Sequence, residues 1–112
     1  MEIKYDTGKR LLTIKIQGDL DHHKACEIRE TIDKEITKRN IKNLIFDFTD
    51  LRFMDSSGIG VIIGRYKLIS NMNGKVVIIL KDEQVYRLLK LSGVHKIIDI
   101  VSAKNDAMLK FQ

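Results

Sequence analysis

Two segments hold most of the residues that can do chemistry. Phe53-Met54-Asp55-Ser56-Ser57-Gly58-Ile59-Gly60 places a carboxylate and two hydroxyls just ahead of an amphipathic run. Gly18-Asp19-Leu20-Asp21-His22-His23 places two carboxylates and two imidazoles ahead of another. In the first segment either Asp55 or Ser56 can take the N-cap position. First-turn N–H groups and the positive end of the helix dipole would then face the loop, a setting that tolerates a phosphate. A phosphoserine brings about −1.5 to −2 units of charge and three acceptor oxygens. Placed beside Asp55 on a docking surface, it would oppose a partner's acidic or tightly packed groups. The chemistry on offer is a modification switch at Ser56 or Ser57, and spacing does not choose between them. The plainer alternative is a pair of serines that only cap a helix.

Other chemistries fit less well. Gly58, Gly60 and Gly64 give G-x-G-x-x-x-G, which is not the dinucleotide-binding spacing, and Thr7-Gly8-Lys9 lacks the flanking residues of a phosphate-binding loop. Gly60 and Gly64 are expected instead to let a helix approach the sheet closely. His22 and His23 are adjacent and would point about 100° apart on a helix, so they cannot chelate one ion. A small hydrolase or nucleotidase can be drawn from Ser56, His22 and Asp21, but the nucleophile elbow G-x-S-x-G is missing. Cys26 is the single cysteine, which leaves no internal disulfide, and it is expected to be packed.

The elements that must position these residues are legible as periodicities. Ile3/Tyr5 and Leu12/Ile14/Ile16 alternate about Asp6-Thr7-Gly8-Lys9, which predicts a hairpin. Ala25, Ile28, Ile32 and Ile36 predict a helix from about His22 to Arg39, with Asp21 as its N-cap. Leu44–Phe48 and Val76–Leu80 read as strands covered on both faces. Thr49 to Asp55 reads as a loop, followed by a helix from about Ser57 to Ile69 that ends at Asn71-Met72-Asn73-Gly74. Asp82 should cap a third helix closed by Gly93. Ile97–Val101 reads as a last strand, and Ser102 as the cap of a terminal helix carrying Ala107, Met108 and Phe111.

The order ββαβαβαβα predicts an α/β fold: a mixed, mostly parallel sheet of about five strands with helices packed on it. Working groups in such sheets gather at the carboxyl ends of the parallel strands. Gly18–His23, Thr49–Ser57 and Lys81–Asp82 should therefore share one edge.

At 112 residues, 44% of them hydrophobic, the chain reads as one domain over 1–112. It contains no apolar run of membrane-spanning length and no signal-peptide pattern, which points to the cytosol. The net charge of +5 would suit nucleic acid or an anionic surface, yet Lys9-Arg10, Lys38-Arg39, Arg65/Lys67 and Arg87/Lys90 are scattered and read as solvated faces. A basic nucleic-acid-binding module and the Ser56 hydrolase are the two alternatives to a switched binding module.

Extended through Val61-Ile62-Ile63-Gly64-Arg65-Tyr66-Lys67, the two segments strongly resemble the anti-sigma factor antagonists with a STAS fold, nearest to their sporulation branch. Asp50-Leu51 and Leu91-Ser92-Gly93-Val94-His95-Lys96-Ile97-Ile98 fit as well, so the resemblance spans essentially the whole chain. It implies that the unphosphorylated protein binds an anti-sigma factor that is also a serine kinase, and so frees a sporulation sigma factor. It implies that this kinase uses ATP to phosphorylate Ser56, and that a PP2C-type phosphatase resets the switch. Partner contacts would fall on Asp21, Asp55, Ser56, Ser57 and Gly58. The chain itself would need no catalytic residue, metal or cofactor.

Overall fold

The computed structural model describes residues 1–112. Strands β1 (Glu2–Asp6) and β2 (Leu11–Lys15) form the expected hairpin, paired antiparallel. The chain then runs through β3 (Gly18–Leu20), α1 (His22–Arg39), β4 (Asn43–Phe48), β5 (Leu51–Met54) and α2 (Ser56–Asn71). It ends with β6 (Val76–Leu80), α3 (Glu83–Ser92), β7 (Asp99–Val101) and α4 (Lys104–Leu109). The main sheet has five strands in the order β1-β2-β4-β6-β7, parallel from β2 onward. Fold class and strand number in this sheet are thus as the periodicities indicate.

Alternation within the strands sorts their side chains onto two faces. Leu12 and Ile14 of β2, Leu44, Phe46 and Phe48 of β4, and Val76, Ile78 and Leu80 of β6 face α1, α2 and α3 in one large core. Leu11, Ile45, Val77 and Ile79 face the other way, where Ala107, Met108 and Phe111 at the C-terminal end cover them. Strands β4 and β6 are covered on both faces, which is why they read as almost continuous apolar runs. On α1 the residues Ile28, Ile32 and Ile36 recur every fourth position and are buried. Each such side chain removed from water contributes roughly 1.5–3 kcal/mol before entropy is counted.

Caps fix the helix ends. Asp21 accepts hydrogen bonds from the N–H groups of His23 and Lys24, and Asp82 from those of Gln84 and Val85. Gly93 closes α3 in the left-handed region at φ 84°. After α2, Gly74 lies so close to the chain between α1 and β4 that a Cβ there would overlap the carbonyl oxygen of Lys42.

Four expectations about elements need correction. Gly18–Leu20 and Leu51–Met54 are not plain loops but pair in parallel as a separate two-stranded sheet, so the order ββαβαβαβα lacks two strands. A glycine and an aspartate among three residues disfavour a strand locally, and only the distant partner makes one. The last strand is shorter than Ile97–Val101 because Val94–Lys96 forms a 3-10 turn. The N–H groups of Ile97 and Ile98 are committed to the Val94 carbonyl. Ser102 does not cap the terminal helix; Ala103 precedes it and offers no side-chain acceptor. Gly60 and Gly64 have nothing within 4 Å of a Cβ position, so neither allows a close approach.

Candidate functional site

The site is built by the pairing that the local sequence conceals. β3 runs directly into Asp21 and α1, and β5 into Asp55 and α2. Because β3 and β5 are parallel neighbours, with Leu20 opposite Met54, both helices start side by side. The register of β2, β4 and β6, with Lys15 opposite Asp47 and Phe48 opposite Leu80, brings the third loop at Lys81–Asp82 to the same edge. Of the helices, α3 packs beside β5.

Asp55, not Ser56, is the N-cap of α2. One carboxylate oxygen accepts from the Ser57 N–H at 2.9 Å and the other from the His22 N–H at 3.1 Å, so the side chain ties the starts of α2 and α1 together. Its backbone carbonyl accepts from Gly58 at 3.0 Å and Ile59 at 3.4 Å. Burial works to raise the pKa of Asp55, but hydrogen bonds from Ser57, His22 and Gly58 and the neighbouring His22 charge outweigh it, and the carboxyl titrates below its ordinary value.

This occupation changes the phosphate argument. The N–H groups of Ser57, Gly58 and Ile59 are already bonded to Asp55, so the first turn is not the open anion cradle that the sequence suggests.

Ser56 is the first residue of α2 and is exposed, and its hydroxyl makes no hydrogen bond within the protein. Ser57 is half-buried, with Oγ 3.4 Å from His22 Nδ1. The two adjacent serines are therefore distinguished by exposure: one projects from the edge, the other turns toward α1. The hydrolase arrangement is not assembled. His22 faces Ser57, not Ser56, and Asp21 Oδ1 is bonded to the N–H groups of His23 and Lys24.

Gly58 is buried. A Cβ at this position would stand 2.5 Å from Met54 Cγ and 3.0 Å from both Leu20 Cγ and the Leu20 carbonyl oxygen. The missing side chain is what lets α2 start tight against β3. Gly58→Ala is expected to cost about 1–3 kcal/mol by overpacking. Urea denaturation checks this, and an unchanged midpoint would mean that the approach is looser than described.

Three side chains lie where the sequence did not put them. Cys26 is exposed, not packed. Arg65 is not on a solvated face; it is buried, with 7% of its surface exposed, between α2 and α1. Phe53, just ahead of the site on β5, is 50% exposed, an aromatic surface on the same edge as Ser56. The only sequence signal for Phe53 was a large apolar residue inside a segment read as loop.

A family model, the STAS domain, matches residues 2–107. The chain is 34% identical over 112 residues to the anti-sigma F factor antagonist of Paenibacillus polymyxa, covering 100% of this chain and 96% of that one. Among solved structures it superposes on the anti-sigma factor antagonist SpoIIAA in its unphosphorylated form with a TM-score of 0.76 at 23% identity, covering 97% and 94% of the two chains. The phosphorylated form of the Bacillus cell fate determinant SpoIIAA gives 0.77 at 24% identity, covering 99% and 98%. At these identities the structural likeness is one of fold.

Proposed function

The chain belongs to the STAS-domain family of anti-sigma factor antagonists, and from that premise we propose that it is a binding module switched by phosphorylation of Ser56. Unphosphorylated, it binds an anti-sigma factor that is also a serine kinase and frees the sigma factor held by it. The kinase transfers a phosphoryl group from ATP to Ser56, which ends the interaction, and a PP2C-type phosphatase restores it. The sigma factor is one of sporulation, a reading supported by the anti-sigma F name of the Paenibacillus relative. Asp21, Asp55, Ser56 and Ser57 form the contact edge, with Phe53 beside them, and Gly58 supports it from below.

The observation that carries this reading is the exposed hydroxyl of Ser56, free of hydrogen bonds, next in the chain to Asp55, whose carboxylate holds the Ser57 and His22 N–H groups. An exposed serine without a partner is accessible to a kinase. A dianion placed there gains no backbone cradle, so most of its effect falls on whatever docks against the edge.

The test is intact and peptide mass spectrometry after incubation with the cognate anti-sigma kinase and ATP, with Ser56→Ala as control. One phosphate on Ser56, absent from the control, is the expected result. Phosphate on Ser57 would move the switch to the half-buried hydroxyl. No phosphate from a kinase active in the same assay would overturn the mechanism.

A further inference from the structure

Arg65 is the one charged side chain that is buried in this protein. Its Nε lies 2.9 Å from Asp33 Oδ1 of α1, but the alignment is too poor for a hydrogen bond, and both atoms are otherwise unpartnered. Its Nη1 reaches the Val61 carbonyl of its own helix at 3.4 Å. Burial and the nearby Arg29 disfavour its charge, and only Asp33 supports it. For stability alone this is a poor arrangement, because a buried ion pair is commonly matched or bettered by apolar residues of similar volume.

The placement suggests what the pair does instead. Helices α1 and α2 are tied at their starts, where the His22 N–H meets Asp55 and the His22 ring meets Ser57. Asp33 lies eleven residues along α1 from His22, and Arg65 nine along α2 from Ser56. At about 1.5 Å per residue the second tie sits roughly 14–17 Å from the first. With one tie alone, the crossing of α1 over α2 would rest on apolar packing. The apolar packing of Ile28, Ile32, Val61 and Ile62 limits movement by shape, and the ion pair adds a restraint that has direction. Two ties fix a line.

We infer that the Arg65–Asp33 pair is the positioning device of the site: it locks α1 in register on α2, keeps His22 over Asp55 and Ser57, and so holds Ser56 in the geometry presented to the kinase. The last step rests on the function proposed above; the others do not.

The variant that tests it is Asp33→Leu with Arg65→Met, which removes both charges and keeps apolar volume at the seam. The double variant is expected to unfold cooperatively with a midpoint no lower than that of wild type. In it the Asp55 carboxyl, followed by carbon-13 NMR, should titrate closer to its ordinary value of 3.8 as the His22 N–H moves away. The kcat/KM for phosphorylation of Ser56 should fall about tenfold, as expected for a reacting group misplaced by a fraction of an ångström. If Asp55 titrates as in wild type and kcat/KM is unchanged in the folded double variant, the pair is merely structural and the inference is wrong. Should the double variant fail to fold, Arg65→Lys keeps the charge but replaces the planar fork, whose Nε and Nη1 face Asp33 and Val61, by a single ammonium. It should move Asp55 in the same direction by less, and no movement would overturn the inference. If the kinase does not modify even the wild type, the proposed function falls, and the Asp55 titration still decides the positioning role.

Discussion

Ser56→Asp is expected to weaken binding to the anti-sigma factor by about a hundredfold, or roughly 2.7 kcal/mol, while leaving thermal unfolding within a few degrees of wild type. The two halves of this expectation have separate causes. Within the fold, position 56 is the first residue of α2 and exposed, and negative charge near a helix N-terminus is worth about 0.3–1 kcal/mol in favour. That gain is offset by repulsion from Asp55, whose carboxylate already holds the Ser57 and His22 N–H groups. At the interface the charge is expected to go uncompensated. A hydroxyl that could donate is replaced by a group that only accepts, and each charge-assisted hydrogen bond that can no longer form costs about 1.5–3 kcal/mol. Ser56→Ala should bind as wild type does and resist inactivation, with little change in stability, because Asp55 and not Ser56 is the cap. Calorimetric titration of the three proteins against the anti-sigma factor measures this. Equal affinities for wild type and Ser56→Asp would refute the electrostatic account.

The second large effect is an asymmetry. Asp33→Ala is expected to cost about 3 kcal/mol, whereas Arg65→Met should cost under about 1 kcal/mol, although each breaks the same ion pair. The difference lies in what is left behind. Without Asp33 the guanidinium of Arg65 stays buried, with no opposite charge to support it and Arg29 still opposing it. Without Arg65 the Asp33 side chain, already 41% exposed, turns its buried Oδ1 outward to water, and the methionine fills the vacated space. In urea denaturation the change in midpoint at constant slope gives both numbers. Equal costs, or a larger one for Arg65→Met, would show that packing and not the unpaired charge dominates at this seam.

Much of the protein is legible without coordinates. The caps Asp21 and Asp82 and the closing Gly93 mark the ends of α1 and α3 because their chemistry acts within one turn of the chain. The doubly covered strands β4 and β6 announce themselves as apolar runs, and strands alternating with helices leave few topologies open. The segment from Phe53 to Gly60 stands out because it brings a carboxylate and two hydroxyls to one helix start. Its edge follows from topology alone, since parallel strands deliver their loops to one side.

What the chain alone does not settle are the relations between segments far apart in sequence. The β3–β5 ladder joins residues 33 or 34 positions apart, and neither strand has the composition to form without the other. The choice of Ser56 as the exposed serine depends on His22 standing against Ser57, a pairing across 35 residues of chain. Periodicity reports which way a side chain points but not what lies there. It could not tell that the partner of Arg65 is Asp33, or that Gly58, and neither Gly60 nor Gly64, sits where a Cβ would collide. Sequence by itself determined most of the elements and their order, because these follow from interactions within a few residues, and through that order the edge where the loops gather. Tertiary structure decided which serine is free, which glycine is obligatory and which charge is buried, because each of those is a property of two segments meeting.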